Sequence, residues 1–136
     1  MVNSVFIDTA AWIALLNRRD LLHARAHQIM ADLRQQKTPL ITSEFVLLEV
    51  ADALAAPPLR DLVVPFIDGL RQQSNLQIIP ASSTLFAEDW ALYSQRPDKA
   101  WGLTDCTSFA AMSQQQITEA FTSDRHFEQA GFVKLL

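Results

Sequence analysis

Cysteine is nearly absent from this sequence. Cys106 stands alone, so neither an internal disulfide nor a cysteine-based zinc cluster can form, and a reducing compartment is expected. Glycine is scarce at 3 residues and proline is limited to 6, which excludes a collagen-like or low-complexity chain. No window approaches the ~20 consecutive apolar residues of a membrane span. The run Val5-Phe6-Ile7 is cut at once by Asp8 and follows no basic segment, so no secretory leader is expected. The expectation is a soluble, cytoplasmic protein with no membrane partner. Positive charge is also in short supply, with 11 basic residues against 15 acidic and a net charge of −4. A surface that grips phosphates is normally basic, so the balance stands against nucleic acid until the acids are located.

What the sequence does have is apolar patterning. Apolar residues make up 49% and charged residues 19% of the 136, which excludes an intrinsically disordered chain. The length suits a single domain, residues 1–136, able to bury roughly two-thirds of its unfolded surface without staples. There is no internal repeat and no linker; Pro57-Pro58 reads as a helix break.

Two periodicities alternate along the chain. Val5-Phe6-Ile7, Leu40-Ile41-Thr42, Leu76-Gln77-Ile78-Ile79, Ala120-Phe121-Thr122 and Phe132-Val133-Lys134-Leu135 read as short strands. Helices are expected over Ala10 to Asn17 with Thr9 as N-cap, over Leu21 to Gln36, and over Phe45 to Ala56 after Ser43. Others are expected from Leu59 to Gln73, from Ser82 or Ser83 to about Gln95, and from Thr104 as N-cap through Gln116. A single turn follows over Arg125 to Gln129, ended by Gly131. Strands alternating with helices predict an α/β fold with a mostly parallel sheet.

An open parallel sheet binds its ligand beyond the carboxyl ends of its strands. Asp8 directly follows the first strand there, and Asp124 closely follows the fourth. Asp105 opens the helix after Thr104. Glu49 shares a helix face with Phe45 and Ala53, on or beside a stripe that otherwise points inward, where an acid is costly without a cation or donors. Four carboxylates converging on one cleft repel unless a hard divalent cation sits among them, and oxygen-only ligands suit Mg²⁺, or Mn²⁺ in its place, over zinc. A cation so held keeps waters and can activate one against a phosphodiester. Taken singly, each acid also has an ordinary explanation as a turn, cap or ion-pair residue.

The remaining polar and aromatic residues read as structural. His23 and His27 stand four apart on a helix without the intervening acid of a metalloprotease pair. Cys106 is expected to pack, and His126 to cap or pack near Asp124. Trp12, Trp90 and Trp101 read as core or interface residues, and Trp101, in a loop, is the best placed of the three to meet substrate or partner.

Four segments, in order, are Val5-Phe6-Ile7-Asp8-Thr9-Ala10-Ala11-Trp12, Thr42-Ser43-Glu44-Phe45-Val46-Leu47-Leu48-Glu49-Val50, Gly102-Leu103-Thr104-Asp105-Cys106-Thr107-Ser108-Phe109 and Ile117-Thr118-Glu119-Ala120-Phe121-Thr122-Ser123-Asp124-Arg125-His126-Phe127. Together they resemble the PIN-domain ribonucleases, most closely the VapC-like toxins of bacterial toxin–antitoxin pairs, over nearly the whole chain. The resemblance implies a three-layer α/β/α sandwich with a parallel sheet of about five strands. It implies Mg²⁺-dependent endonucleolytic cleavage of RNA, a homodimer, and a small cognate antitoxin. Asp8 and Asp105 match the family's first metal ligands, Glu49 and Asp124 its remaining acids, and Thr9 and Thr122 its hydroxyl positions beside the site. Two alternatives stay open: an RNA-binding or regulatory module without turnover, and a nuclease acting on single-stranded DNA. With the four acids set aside, the other residues balance at 11 basic and 11 acidic. The only basic cluster near the proposed site is Arg18, Arg19 and Arg25, so a weak general grip on RNA is expected.

Overall fold

Residues 3–136 are described by a computed structural model. The chain begins with β1 (Val5–Ile7), α1 (Thr9–Leu16) and α2 (His23–Gln35), followed by β2 (Leu40–Ser43), α3 (Glu44–Ala53) and α4 (Arg60–Leu70). It continues through β3 (Leu76–Ile79), α5 (Ser83–Gln95), α6 (Leu103–Gln114), β4 (Glu119–Phe121), α7 (His126–Gln129) and β5 (Val133–Lys134).

The five strands form one sheet in the order β3-β2-β1-β4-β5. Every neighbouring pair is parallel, with Phe6 opposite both Ile41 and Ala120. The crossovers leave β1 in opposite directions, toward β2 and β3 on one side and β4 and β5 on the other. Because parallel crossovers are right-handed, opposite directions place helices on both faces and give the three-layer α/β/α sandwich. This accounts for the unbroken apolar β1, whose three residues are all buried. The core around it includes Trp12, Val46, Val50, Phe109, Met112, Phe121 and Phe127. The sheet changes winding direction between β1 and β4, and a doubly wound sheet opens its ligand crevice at that point.

Local chemistry sets the element ends. Ser43 and Ser82 cap α3 and α5, each accepting a backbone N–H three residues on at 3.1 Å. Thr9 is not the N-cap of α1. Asp8 holds that place in extended backbone, and Thr9 is the first helical residue. Thr104 likewise lies inside α6, whose N-cap is Gly102. The Asp105 carboxylate accepts the Gly102 N–H at 3.0 Å and so fixes the helix start two residues earlier. Helix α3 ends at Ala53, before the expected Ala56, α4 is shorter than Leu59 to Gln73, and β5 keeps only two of four expected residues. Gly131 follows α7 at φ +96°, a left-handed conformation suited to glycine.

The two α2 histidines do structural work. His23 Nδ1–H donates to the Ala14 carbonyl at 2.7 Å and His27 Nε2–H to that of Leu15 at 3.3 Å, which satisfies open acceptors in the last turn of α1. Among the described residues, no helix is long and apolar enough to cross a membrane.

Candidate metal centre

Asp8 lies where β1 ends and α1 begins, at the sheet's switch point. Its backbone N–H continues the ladder to the Phe121 carbonyl at 3.1 Å, which locks it beside the end of β4. The side chain is buried, with the residue only 5% exposed. Its Oδ2 accepts the hydroxyl of Thr122 at 2.8 Å. Burial pushes the Asp8 carboxyl from its ordinary 3.8 up to about 7, against the opposing pull of the Thr122 hydroxyl and the Thr9 N–H. The negative charges of Asp105 and Glu49 raise it further.

Thr122 is fully buried and works in two directions. While it donates to Asp8, its oxygen accepts the Asp124 backbone N–H at 3.0 Å. One hydroxyl therefore joins the ends of β1 and β4 and sets the start of the loop that carries Asp124. The Asp124 carboxylate in turn accepts the His126 N–H at 2.9 Å, an Asx turn that leads into α7.

Asp105 reaches the same place from the first turn of α6. Desolvation raises its pKa above the ordinary value, the Gly102 N–H lowers it, the Asp124 charge raises it, and His126 lowers it. The His126 Nδ1 lies 3.1 Å from Asp105 Oδ2 and 3.4 Å from Asp124 Oδ1. Among the described residues, Asp105, Asp124 and His126 are the group whose ligand atoms all lie within 4.8 Å of one another.

Each residue singled out in the sequence can now be placed. Asp105 and Asp124 come together directly, and Asp8 is tied to the Asp124 loop through Thr122. Glu49 does not lie on an inward stripe. The buried face of α3 is Val46, Leu47 and Val50, and Glu49 is exposed beside it, although its charge is felt at Asp8. Thr9 is buried and its Oγ1 has no hydrogen-bond partner. His126 is the residue that sequence reasoning undervalued. The only signal was its place two residues after Asp124, because its approach to Asp105 spans 21 positions of chain. Trp101 is buried against Phe109 and donates its Nε1–H to Gln129 Oε1 at 3.1 Å, in keeping with the core reading. Trp12 is a core residue with its Nε1–H on Thr42 Oγ1, and Cys106 is buried, both as expected.

The donor set fits a hard divalent cation. Asp8 is held so far from ordinary carboxylate behaviour that it ionises fully at neutral pH only with a compensating positive charge nearby. The buried Thr9 hydroxyl beside it is likewise unpartnered. Among the described residues the clustered donors are two carboxylates and one imidazole, with no thiolate among them, a set that can hold a divalent cation.

Comparison with known proteins bears on the family and the fold. The 23S rRNA-specific endonuclease VapC20 of Mycobacterium tuberculosis is 28% identical over 132 residues, which is 96% of this chain and 97% of that protein. The crystal structure of VapC20, described as a sarcin–ricin loop cleaving toxin, superposes with a TM-score of 0.83 over 96% of this chain and 97% of the other. FitAcB from Neisseria gonorrhoeae gives 0.66 at 17% identity, over 96% and 95% of the two chains. VapBC2 from Rickettsia felis, bound to a DNA fragment from its promoter, gives 0.70 at 14% identity, over 98% and 97%. These last two bear on the fold alone. The family model of the PIN domain matches residues 5–133, and the chain belongs to the PIN domain family.

Proposed function

We propose that this protein is a divalent-metal-dependent endoribonuclease acting as the toxin of a toxin–antitoxin pair. The observation that carries the proposal is the connected set Asp8–Thr122–Asp124–His126–Asp105 at the carboxyl ends of β1 and β4. Its placement at the switch point of a PIN fold supports the same conclusion.

Asp105, Asp124 and Asp8 are the residues that would hold the cation, with Glu49 at the rim. When bound, that cation supplies a water of lowered pKa and stabilises charge on the leaving oxygen. The protein's own residues do the positioning. Thr122 fixes the rotamer of Asp8 by donating to Oδ2. The Gly102 N–H fixes Asp105. The buried, unpartnered Thr9 hydroxyl follows Asp8 in the chain and is available to a carboxylate or a water inside the centre. His126 holds the Asp105 and Asp124 carboxylates together through Nδ1, offsetting part of their mutual repulsion.

The relative that cuts 23S rRNA makes large-subunit ribosomal RNA the first substrate to test, with the sarcin–ricin loop as the first site. The likeness to the VapC20 toxin supports a small cognate antitoxin as partner, and a homodimer is inferred with it. The test incubates purified protein with ribosomal RNA in Mg²⁺ or Mn²⁺, with EDTA and Asp105→Asn as controls, and maps the new RNA ends. Discrete cleavage that both controls reduce at least about a hundredfold is expected, since a transition-state contact of this kind is worth several kcal/mol. Undiminished cleavage in EDTA overturns the proposal. Metal-dependent cutting of single-stranded DNA in preference to every RNA tested redirects it to DNA.

A further inference from the structure

Helix α5 carries three large aromatic side chains that the core does not use. Phe86, Trp90 and Tyr93 are 47%, 51% and 43% exposed. They follow one another at helical spacing and already form a ladder. The Phe86 and Trp90 centroids lie 6.4 Å apart with planes 9° from parallel, and Trp90 and Tyr93 lie 5.5 Å apart at 22°. Single exposed apolar residues are ordinary, but a contiguous exposed patch marks a binding surface.

The ladder opens into a cleft of about 480 Å³ whose walls include Trp90, Tyr93, Arg96 and Lys99, and whose inner end meets Trp101 and Cys106. Cys106 adjoins Asp105 in the sequence of α6, and the cleft itself is lined by α5, the loop after it and α6. Two cations stand over the buried Trp101 ring, Arg96 with its guanidinium carbon 5.0 Å and Lys99 with its ammonium 6.0 Å from the centroid. Arg96 shares its charge with Asp98 through two 3.0 Å hydrogen bonds. Among the described residues, Lys99 forms no ion pair.

We propose that this face of α5, with Lys99 and Arg96 at its end, is a stacking and phosphate subsite for a single-stranded stretch of the RNA substrate. The proposal rests on the endoribonuclease function above and deepens it. Every base presents a π-face that can extend an existing aromatic stack, whatever the sequence, and a cation beside the stack meets the backbone phosphate. The chemistry also suits an acidic protein. Stacking needs no net positive charge, so RNA can be held along a path where only two cations stand. An interface between copies of the chain is the other use of such a face. Arg96 and Lys99 beside the ladder favour RNA, because they supply the positive charge that a phosphate backbone meets.

The test measures binding of a labelled oligoadenylate to the intact protein in EDTA, by anisotropy and by quenching of tryptophan fluorescence. The double variant Trp90→Ala/Tyr93→Ala alters exposed residues only. It is expected to bind about ten- to a hundredfold more weakly and to raise KM for cleavage with little change in kcat. Trp90→Phe keeps a stacking ring and restores most of the affinity. Lys99→Ala lowers the slope of log affinity against log salt by about 0.7, the value of one phosphate contact on a single strand. Equal affinity in the wild type and the double variant overturns the subsite, as does a wild type that binds no single-stranded RNA. A wild type that sediments as a dimer, with a monomeric double variant of unchanged RNA affinity, overturns it and assigns the face to a second copy. Stacking-dependent binding without cleavage in Mg²⁺ sustains the subsite and overturns the nuclease assignment, so the two failures are distinguishable.

Discussion

Asp8 makes the metal-free protein's stability depend on pH in an unusual direction. In the fold its carboxyl is pushed up to about 7, chiefly by burial, from an ordinary 3.8. Between those two values the native state holds a proton that the unfolded chain has released. Stability therefore falls as pH rises through this window, and above it both states are ionised and the loss is complete. The slope is about 1.4 kcal/mol per pH unit and the whole loss about 4 kcal/mol. That is a large part of the ~5–15 kcal/mol that stabilises an ordinary domain. Asp8→Asn removes the titration while keeping a carbonyl oxygen where Oδ2 accepts the Thr122 hydroxyl. The assay is urea unfolding in EDTA from pH 5 to pH 8. Wild type should lose stability relative to Asp8→Asn by about 2–3 kcal/mol over the acidic part of that range and then run parallel to it. Saturating Mg²⁺ should restore wild type at pH 8 and do little for the variant. If the difference between the two proteins is flat across the range in EDTA, Asp8 is not held in this way, and the case for a cation among these carboxylates loses its electrostatic basis.

Other outcomes follow from single contacts. Thr122→Val keeps the shape of a fully buried side chain but strands Asp8 Oδ2 and the Asp124 N–H. It should cost about 1–3 kcal/mol in urea unfolding and reduce cleavage more than stability alone explains. Asp89 is 1% exposed in α5, with Oδ1 unpartnered and its carboxyl raised to about 6 by burial and the neighbouring Glu88 charge. Being raised, it also withdraws stability as pH climbs from about 4 to 6, so Asp89→Asn should gain about 1–2 kcal/mol on wild type at pH 8 relative to pH 4.5. Phe121→Ala, at a fully buried position of β4 beside the site, should cost about 3–5 kcal/mol and lower the melting temperature accordingly. Mg²⁺ at a hundred times its dissociation constant should add about 2.7 kcal/mol to native stability, readable as a rise in melting temperature that Asp105→Asn abolishes.

How much of this was legible in the sequence depends on how local each cause is. Strand β1 and the Asp8 that ends it could be read because burial on both faces demands an unbroken apolar run, and the first charge after that run marks the strand's carboxyl end. The same logic located Asp124 after β4, and topology then brought the two together. The misplaced features depend on competition between neighbours. Thr9 and Thr104 are both good caps by type, yet Asp8 is already in extended backbone, and the Asp105 carboxylate grips the Gly102 N–H, so each helix begins elsewhere than the hydroxyl suggests. Glu49 could be put only on or beside the inward stripe, because α3 is apolar over much of its surface and a spacing of four fits more than one face; it lies beside it. Only packing chooses Val46, Leu47 and Val50 for the interior.

His126 was the hardest to read because its role exists only in three dimensions. The Asx turn at Asp124 delivers its ring to Asp105, a residue of another helix. The tryptophans read alike as core or interface, and only packing tells them apart. Phe109 and Gln129 enclose Trp101 in its loop, whereas Trp90 lies half-exposed on α5. The net charge of −4 is the clearest case of composition misleading in bulk and informing in place. Asp105 and Asp124 meet beside the buried Asp8, which feels the charges of Asp105 and Glu49, and a divalent cation bound there would cancel much of the excess. Outside that centre the chain is formally balanced, and its exposed aromatics stand beside two cations along a cleft that leads inward. An enzyme so arranged should hold RNA by stacking and by metal more than by a basic surface. Its affinity for RNA should therefore fall less steeply with salt than that of a basic nuclease of the same size, with a slope reflecting one or two phosphate contacts.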